Sequence, residues 1–335
     1  MNRITQLARQ IIGRNSSTMA TSQYAFNHTM FRVKDPKVTI KFYEDNFGMK
    51  LLKEFPVPQL GFTNYYLGFT GVNALHQDKP WYEREGVLEI CHNYGTEKDD
   101  NFVVNNGNVE PHRGFGHICF SVDNIEACCE KLEQNGVSFK KKLSDGRQKD
   151  IAFALDPDGY WIELITNKEL KPQSGVWDRS NVRFNHTMVR VKDPKKSLKF
   201  YQEALGMTLV RTSVHENAKF TLYFLTYTHD NPNFVPNSGE GVSDMEGILE
   251  LTHNWDTEND PEFKYHNGND QPQGYGHIGI TVPDVDEAMT RLEELGVSIK
   301  KRKSDGKMKF IGFVLDPDGY WVEILPRAEI PEKID

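Results

Sequence analysis

Two sets of histidine and glutamate side chains recur along this chain at matching points of two apolar sequences. The sets are His28, Glu89, His117 and Glu163, and His186, Glu250, His277 and Glu323. Glu163 and Glu323 lie inside the runs YWIELI and YWVEIL, where an ionised carboxylate is costly unless it is paired or binds a cation. Imidazole and carboxylate donors together suit Zn, Ni, Fe or Mn. The residues therefore predict a metal site, although a duplication alone would also retain such residues with ordinary structural partners.

Strand alternation gives the candidate ligands polar neighbours. Side chains on a strand alternate between its two faces, so His28 shares a face with Arg32, and Glu89 shares one with Asn93. The second copy repeats both pairs, as His186 with Arg190 and Glu250 with Asn254. Two further histidines face away from these glutamates and are expected to be structural: His92 and His253.

These residues belong to a tandem repeat that covers most of the chain. FNHTMFRVKDPKVTIKFYEDNFGM at 26–49 returns as FNHTMVRVKDPKKSLKFYQEALGM at 184–207, with 16 of 24 positions identical. Later runs return with similar offsets, LDPDGYWIELI as LDPDGYWVEIL and GFGHICFSV as GYGHIGITV. A gene duplication is the natural interpretation. We predict an N-terminal extension at 1–22, a first domain at 23–166, a linker at 167–183 and a second domain at 184–328.

Each copy also divides into two halves of the same predicted order, βαβββ. The first half begins with a strand at 27–34, after which Asp35 and Pro36 supply a helix cap and a first helical residue. Its helix ends near 47, and strands follow around 49–55, 62–70 and 86–93. The second half predicts a strand near 115–122, a helix near 124–135 and strands near 137–141, 150–155 and 160–165. We expect an α+β fold of four βαβββ modules, whose paired, curved mixed sheets form clefts between the domains.

Composition excludes several classes of function. The 335 residues include 40 Lys and Arg against 48 Asp and Glu, a formal net charge of -8, which argues against a nucleic-acid partner. No run approaches the ~20 apolar residues of a membrane span. The four cysteines form no CxxC pair and are expected to be reduced core residues.

The first 20 residues differ from the rest, because they carry three arginines and no acidic residue. Such a segment, with apolar residues on one helical face, is typical of a mitochondrial presequence. A translation start at Met19 is the alternative. We expect a cytoplasmic protein, also mitochondrial if this segment directs import.

The runs HTMxRVKDP, LEI/LELxHN, GFGHI/GYGHI and DPDGYWxEI, which occur in the same order in both copies from Phe26 to about Pro326, resemble glyoxalase I (lactoylglutathione lyase) of the vicinal-oxygen-chelate superfamily. A fused tandem copy is similar to the monomeric yeast and Plasmodium type, whereas the animal enzyme is a homodimer of single copies. The resemblance implies an enzyme that isomerises the hemithioacetal of methylglyoxal and glutathione to S-D-lactoylglutathione through an enediolate. It also implies glutathione as cosubstrate, and a monomer with a pseudo-dimeric arrangement.

The resemblance further implies which residues form each site, since each family site takes two metal ligands from each copy. Site A would be His28, Glu89, His277 and Glu323. Site B would be His186, Glu250, His117 and Glu163. The implied catalytic bases are Glu323 and Glu163, opposed across the metal by Glu89 and Glu250. The implied glutathione contacts are Arg32, Asn93 and Lys301 for site A, and Arg190, Asn254, Arg113 and Lys141 for site B.

Two positions depart from the family pattern. The first ligand is histidine, as in bacterial nickel-dependent relatives, where the animal zinc enzyme has glutamine. Because the long eukaryotic-type insertions at 72–85 and 97–113 are present, we expect Zn²⁺, with Ni²⁺ or another divalent metal as the alternative. Gln273 stands where the first copy has Arg113, and an amide lacks the bidentate fork of a guanidinium. We therefore expect weaker glutathione binding in site A.

Two other functions compete with the isomerase. One is a metal-dependent dioxygenase of the same superfamily, which uses two histidines and one carboxylate and leaves positions open for oxygen. The other is a non-catalytic small-molecule-binding module without a full ligand set. Four donors per site, two of them carboxylates, favour the isomerase over both.

Overall fold

The computed structural model describes residues 21–146, 148–171, 175–229, 231 and 233–331. The segment 1–20, for which the sequence predicts a presequence, lies outside these residues, as do linker residues 172–174. Within the described part, no helix has the length and apolar composition needed to cross a membrane.

The first copy forms two βαβββ modules. Module 1 consists of β1 (Ala25–Arg32), α1 (Pro36–Phe47), β2 (Met49–Val57), β3 (Phe62–Phe69) and β4 (Val87–Asn93). Module 2 consists of β5 (Phe115–Val122), α2 (Ile125–Gln134), β6 (Phe139–Lys141), β7 (Ile151–Leu155) and β8 (Trp161–Thr166).

The second copy repeats this order. Module 3 consists of β9 (Arg183–Arg190), α3 (Pro194–Lys199), β10 (Thr208–His215), β11 (Phe220–Thr226) and β12 (Ile248–Asn254), and α3 continues as a π-helical turn at Phe200–Ala204. Module 4 consists of β13 (Tyr275–Val282), α4 (Val285–Glu294), β14 (Ser298–Lys301), β15 (Gly312–Leu315) and β16 (Trp321–Pro326).

The ends of α1 follow the predicted signals. The side chain of Asp35 accepts a hydrogen bond from the backbone N–H of Lys37 at 2.9 Å, which satisfies one of the free donors at the helix start. Pro36 occupies the first turn, where its missing N–H costs nothing. Gly48 ends the helix in the left-handed region at φ 81°, a conformation that glycine adopts without a Cβ clash.

The modules pair across the duplication. One eight-stranded sheet has the order β14-β15-β16-β13-β1-β4-β3-β2 and joins modules 4 and 1. The other has the order β10-β11-β12-β9-β5-β8-β7-β6 and joins modules 3 and 2. In each sheet the two modules meet through an antiparallel pair, β1 with β13 and β5 with β9. The predicted α+β fold of two tandem domains with mixed sheets is confirmed.

One apolar cluster links the two sheets. Phe115 of module 2 stacks on Tyr275 of module 4, with ring centroids 4.9 Å apart, and both side chains are buried. The cluster continues through Phe47 and Phe120, whose centroids lie 4.8 Å apart. Burial of such aromatic surface is the main stabilising contribution to the fold. The two copies therefore share a core.

Candidate active sites

Site A lies on four adjacent strands of one sheet, β16, β13, β1 and β4. His28 and Glu89 come from the first copy, and His277 and Glu323 come from the second. All four are buried, and one donor atom from each lies within 4.8 Å of the other three. The Nε2 atom of His28 is 2.8 Å from Glu89 Oε2 and 3.1 Å from Glu323 Oε2. The strand order therefore gathers ligands that are far apart in sequence.

Site B is built in the same way on β12, β9, β5 and β8. It brings together His186, Glu250, His117 and Glu163, all buried. The Nε2 atom of His186 is 3.0 Å from a carboxylate oxygen of both Glu163 and Glu250. Both clusters have the cross-copy composition that the family resemblance implies.

A buried asparagine orients the first histidine of each site. The side-chain amide of Asn27 donates to the backbone carbonyls of Trp81 and Arg84 at 2.8 and 2.7 Å. Its Oδ1 atom therefore faces His28 Nδ1, 2.8 Å away, and accepts a hydrogen bond from it. With Nδ1 as the donor, the Nε2 lone pair of a neutral His28 points at the other ligands, which is the usual arrangement of a metal-binding histidine.

The second copy repeats this support. Asn185 donates to the carbonyls of Val242 and Met245 at 2.7 and 2.9 Å, and its Oδ1 lies 2.8 Å from His186 Nδ1. Sequence reasoning missed both asparagines as functional residues. The signal was present, since an asparagine directly precedes the ligand histidine in both FNHTM runs.

The clustered charges shift one another's protonation. Burial lowers the pKa of His28, but Glu89 and Glu323 raise it more, to about 9. Burial raises the pKa of Glu89, yet His28 and His277 bring it down to about 2. In site B, burial raises the pKa of Glu163, but His117 and His186 lower it more, so the pKa lies below its usual value. In site A, the two carboxylates and the two histidines thus stabilise one another's charged forms.

The donor chemistry fits a divalent cation. Glu89 Oε2 is buried and has no hydrogen-bond partner in the described chain, although it lies 2.8 Å from His28 Nε2. The Nε2 atoms of His28 and His277 face each other at 3.2 Å. A cation would bind these converging lone pairs and replace the protons that the histidines otherwise hold.

Three of the candidate glutathione residues of site B lie at one end of the sheet: Arg190, Asn254 and Arg113. Arg190 donates to Asn108 Oδ1 at 2.9 Å and to the carbonyl of Phe115 at 3.0 Å. Burial lowers the pKa of Arg190, and the nearby Arg113 lowers it further, so two guanidinium groups share this region. Asn254 donates to the Tyr265 hydroxyl at 2.9 Å.

The corresponding end of site A carries less positive charge. Arg32 donates to Asn269 Oδ1 at 2.9 Å, and Gln273 donates to the backbone carbonyl of the same Asn269. Asn93 ends β4 and is half-buried. Site A therefore has an amide, Gln273, where site B has the guanidinium of Arg113.

The two candidate lysines hold loop backbones. Lys301 Nζ donates to the carbonyls of Met308 and Ile311 at 3.1 and 3.0 Å, and burial lowers its pKa. Lys141 Nζ donates to the carbonyls of Gln148 and Ile151 at 2.7 and 2.6 Å. Both lysines therefore tie down the loop that follows their own strand.

His92 and His253, which were expected to be structural, lie outside both clusters. His92 pairs with Glu97 at 2.8 Å and His253 pairs with Glu258 at 2.7 Å. Each pair is five residues apart in sequence and fastens the turn after its strand.

The side chains next to the first histidine and the first glutamate also differ between the two sites, and this difference was not predicted from the sequence. Tyr66 packs edge-on against His28 at 5.9 Å and stacks on Trp81 at 4.3 Å. Phe224 takes the same position against His186 at 5.6 Å. In site B, Thr252 donates to Glu250 Oε1 at 3.0 Å.

Comparison with known proteins agrees with this architecture. Residues 25–164 and 183–324 both match the model of the Glyoxalase/Bleomycin resistance protein/Dioxygenase superfamily. The chain is 52% identical over 313 residues to a lactoylglutathione lyase of Schizosaccharomyces pombe, covering 93% of this chain and 99% of that protein. It is 51% identical over 313 residues to glyoxalase I of Saccharomyces cerevisiae, covering 91% and 93%. Crystalline glyoxalase I from Zea mays superposes with a TM-score of 0.65 at 28% identity, covering 91% of this chain and 92% of that one.

Proposed function

The chain belongs to the glyoxalase I (lactoylglutathione lyase) family of the Glyoxalase/Bleomycin resistance protein/Dioxygenase superfamily, and on that premise we propose that it detoxifies methylglyoxal at two sites per chain. The reaction isomerises the methylglyoxal–glutathione hemithioacetal to S-D-lactoylglutathione, and the enzymes that catalyse it are classed as carbon–sulfur lyases. The observation that carries the proposal is the pair of buried tetrads, each with two histidines and two glutamates drawn from both copies.

Each tetrad would hold one divalent cation through His28, Glu89, His277 and Glu323 in site A, and through His186, Glu250, His117 and Glu163 in site B. When bound, the cation supplies a Lewis acid for negative charge that develops on the substrate oxygens. Zn²⁺ is the metal we propose, because imidazole and carboxylate donors in a set of four suit it. Ni²⁺ is the alternative.

The chain's own carboxylates move the proton. We assign Glu323 in site A and Glu163 in site B as the bases that take a proton from one carbon of the hemithioacetal and return it to its neighbour. Their positions support this role, since each is buried beside two histidines that favour its ionised form. Glu89 and Glu250 face these bases and are proposed to serve the other stereoisomer. The reaction has no net redox change and needs no organic redox cofactor.

Glutathione would bind at the arginine end of each site. Arg190, Asn254, Arg113 and Lys141 are proposed for site B, and Arg32, Asn93 and Lys301 for site A. Guanidinium groups suit the carboxylates of glutathione because they donate two parallel hydrogen bonds. The closeness of Arg113 to Arg190, against Gln273 beside Arg32, supports tighter glutathione binding in site B.

The pseudo-dimeric pairing of modules 1 with 4 and 2 with 3 supports a monomer that needs no second chain to complete a site. We further propose that the protein acts in the cytoplasm, and also in mitochondria through its first 20 residues. No nucleic-acid or membrane partner is proposed.

The test uses purified full-length protein with methylglyoxal and glutathione, and follows the absorbance of the thioester product. We expect turnover, close to two metal ions per chain by elemental analysis, loss of turnover after chelation and recovery on adding Zn²⁺. Unchanged turnover in the metal-free protein would exclude the proposed chemistry. Oxygen consumption during the reaction would indicate the dioxygenase alternative.

A further inference from the structure

The apolar residues next to the tetrad of site A form a cluster that spans two modules. Tyr66 belongs to this cluster and packs against His28. Phe313 lies against the cluster and packs on His277, with ring centroids 5.2 Å apart. The buried and partly buried members come from modules 1 and 4 and include Phe55, Trp81, Met308, Phe310 and Ile311. This bridging cluster therefore extends from the tetrad histidines across the boundary between the two modules.

The corresponding cluster of site B stays within one module. Phe224 packs against His186. The described residues that cluster with Phe224 all belong to module 3: Val210, Leu222, Phe234, Val242, Met245 and Ile248. Within the described part of the chain, this cluster does not reach module 2. Apolar packing beside tetrad B therefore covers the side of module 3 only.

One aromatic contact closes site A across its sheet. Phe55 lies on the edge strand β2 and Phe310 lies two residues before β15, yet their ring centroids are only 6.0 Å apart. Five strands separate β2 from β15 in the sheet, so in a flat sheet they would lie roughly 30 Å apart. Phe55 pairs with Asn64, two residues from Tyr66, and so lies on the ligand face. The sheet therefore curves until its two edges meet over that face.

Polar residues replace this contact in site B. In the repeat, Ser213 corresponds to Phe55, and Asp150 corresponds to Phe310. Phe55 is buried and Phe310 is half-buried, whereas Ser213 is half-buried and Asp150 is exposed. A hydroxyl and a carboxylate cannot form the apolar contact that closes site A. The same edges of the second sheet therefore carry groups that favour contact with water.

Two further exchanges act in the same direction. Gln148, which is exposed, corresponds to the half-buried Met308. Val242 corresponds to Trp81, and the carbonyl of each accepts a hydrogen bond from the asparagine that supports the first histidine of its site. Trp81 extends the apolar wall by stacking on Tyr66, and valine is too small to do so. Site A is thus enclosed by apolar side chains, and site B is more open and more polar.

We propose that the two sites select 2-oxoaldehydes by their substituent, with site A favouring apolar substituents and site B favouring polar ones. This inference rests on the proposed function, in which the hemithioacetal oxygens lie at the tetrad and glutathione lies at the arginine end. The remaining substituent then meets the side chains that enclose the cleft. An apolar substituent gains free energy by burial against the bridging cluster, whereas a hydroxyl buried there loses its hydrogen bonds to water.

The experiment measures each site in full-length protein whose other site is silenced, site A in Glu163→Gln and site B in Glu323→Gln. The substrates are the glutathione adducts of phenylglyoxal, methylglyoxal and hydroxypyruvaldehyde. We expect the ratio of kcat/KM for phenylglyoxal to kcat/KM for hydroxypyruvaldehyde to be at least about tenfold higher in site A, since one apolar group in a hydrophobic pocket changes kcat/KM by roughly 10–200-fold. Turnover of methylglyoxal reports that each site is folded and active.

Exchanges between the two sites test the residues themselves. In the background that reads site A, Phe310→Asp copies site B and should lower the ratio. In the background that reads site B, Ser213→Phe with Asp150→Phe rebuilds the aromatic pair and should raise it. Leu295→Asp, which follows α4 at a residue that is 53% exposed, is the control for replacing an apolar side chain by a carboxylate.

Binding gives a second readout that needs no turnover. S-benzylglutathione and S-(2-hydroxyethyl)glutathione carry an apolar and a polar substituent on the sulfur, and calorimetry of the two silenced, Zn²⁺-loaded proteins should show that the benzyl compound favours site A. Equal ratios in the two sites, a higher ratio in site B, or ratios that the exchanges leave unchanged would overturn this inference and leave the proposed function intact. No turnover of any adduct by the wild-type protein would overturn both.

Discussion

The Oγ1 atoms of Thr29 and Thr187 lie 2.5 Å apart, and both side chains are buried. The two residues are equivalent in the duplication, and each directly follows the first ligand histidine of its copy. Because neighbouring side chains on a strand point to opposite faces, each threonine faces away from its site. One hydrogen bond therefore joins the backs of the two ligand strands, β1 and β9.

This hydroxyl pair should behave as a unit. Thr29→Val and Thr187→Val each keep the side-chain shape but leave the other hydroxyl buried without a partner, which costs about 1–3 kcal/mol of unfolding free energy. The double variant removes both polar groups, and we expect it to cost less than the sum of the single variants. Urea unfolding of the four proteins in a double-mutant cycle measures the difference. Strictly additive losses would show that the two hydroxyls do not interact.

Asn27 and Asn185 should control metal affinity one site at a time. Asn27→Ala removes the acceptor that holds His28 Nδ1, and loss of such support commonly costs ~10–100-fold in metal affinity. We expect the loss in site A alone, so that one of the two metal ions per chain is released at lower chelator concentration. Asn185→Ala is the matched variant for site B. Unchanged chelator titrations in both variants would contradict the assigned role.

The difference between Arg113 and Gln273 should appear in substrate affinity. With site B silenced by Glu163→Gln, adding Gln273→Arg should lower the KM of site A, since a guanidinium replaces an amide. With site A silenced by Glu323→Gln, Arg113→Gln should raise the KM of site B. Gln134→Arg on the exposed face of α2 controls for added charge. If neither exchange changes KM, Arg113 and Gln273 do not take part in glutathione binding.

Glu246 should make stability depend on pH. Burial raises its pKa to about 8, although Arg183, the backbone N–H of Phe184 and Arg84 act to lower it, and His76 Nε2 lies 3.8 Å from its carboxylate. A glutamate in the unfolded chain has a pKa of about 4.3. Between the two pKa values, the folded chain therefore holds more protons than the unfolded chain. Stability contributed by the neutral carboxyl is complete below that window and is lost as pH rises towards 8.

Glu246→Gln tests this sign. The amide cannot ionise and can still accept the hydrogen bond that Phe184 donates. We expect the free energy of unfolding to fall less steeply with pH in the variant than in the wild type between pH 5 and 8, which denaturant titrations at several pH values measure. Parallel curves for the two proteins would mean that Glu246 is ionised throughout.

Much of this architecture is readable from the sequence, because the repeat and the caps are local signals. The two ends of α1, for example, follow from Asp35, Pro36 and Gly48, which are adjacent to those ends in the sequence. The combination of glutamates and histidines in each site cannot be predicted from such local signals, because it depends on β1 pairing with β13 rather than with β5. The residues alone left that pairing open, and the family resemblance supplied it.

The remaining features depend on strand register. Cys119 is classed by its type as a core residue, and only the pairing of β5 with β9 and β8 sets it between His186 and Glu163. The contact between Thr29 and Thr187 likewise requires two sheets to meet back to back. Such long-range relations follow from tertiary packing, which local patterns do not encode.

Turnover of Glu163→Gln, Glu323→Gln and their double variant tests whether each chain has two active sites with glutamate bases. Glutamine keeps the shape of the side chain but cannot take a proton, and general bases contribute roughly 10²–10⁴-fold to rate. Glu133→Gln with Glu293→Gln, at equivalent exposed positions of α2 and α4, is the matched control. We predict that each single variant keeps the turnover of its intact site, while the double variant loses at least about 100-fold. A double variant as active as the control would show that neither glutamate is the catalytic base.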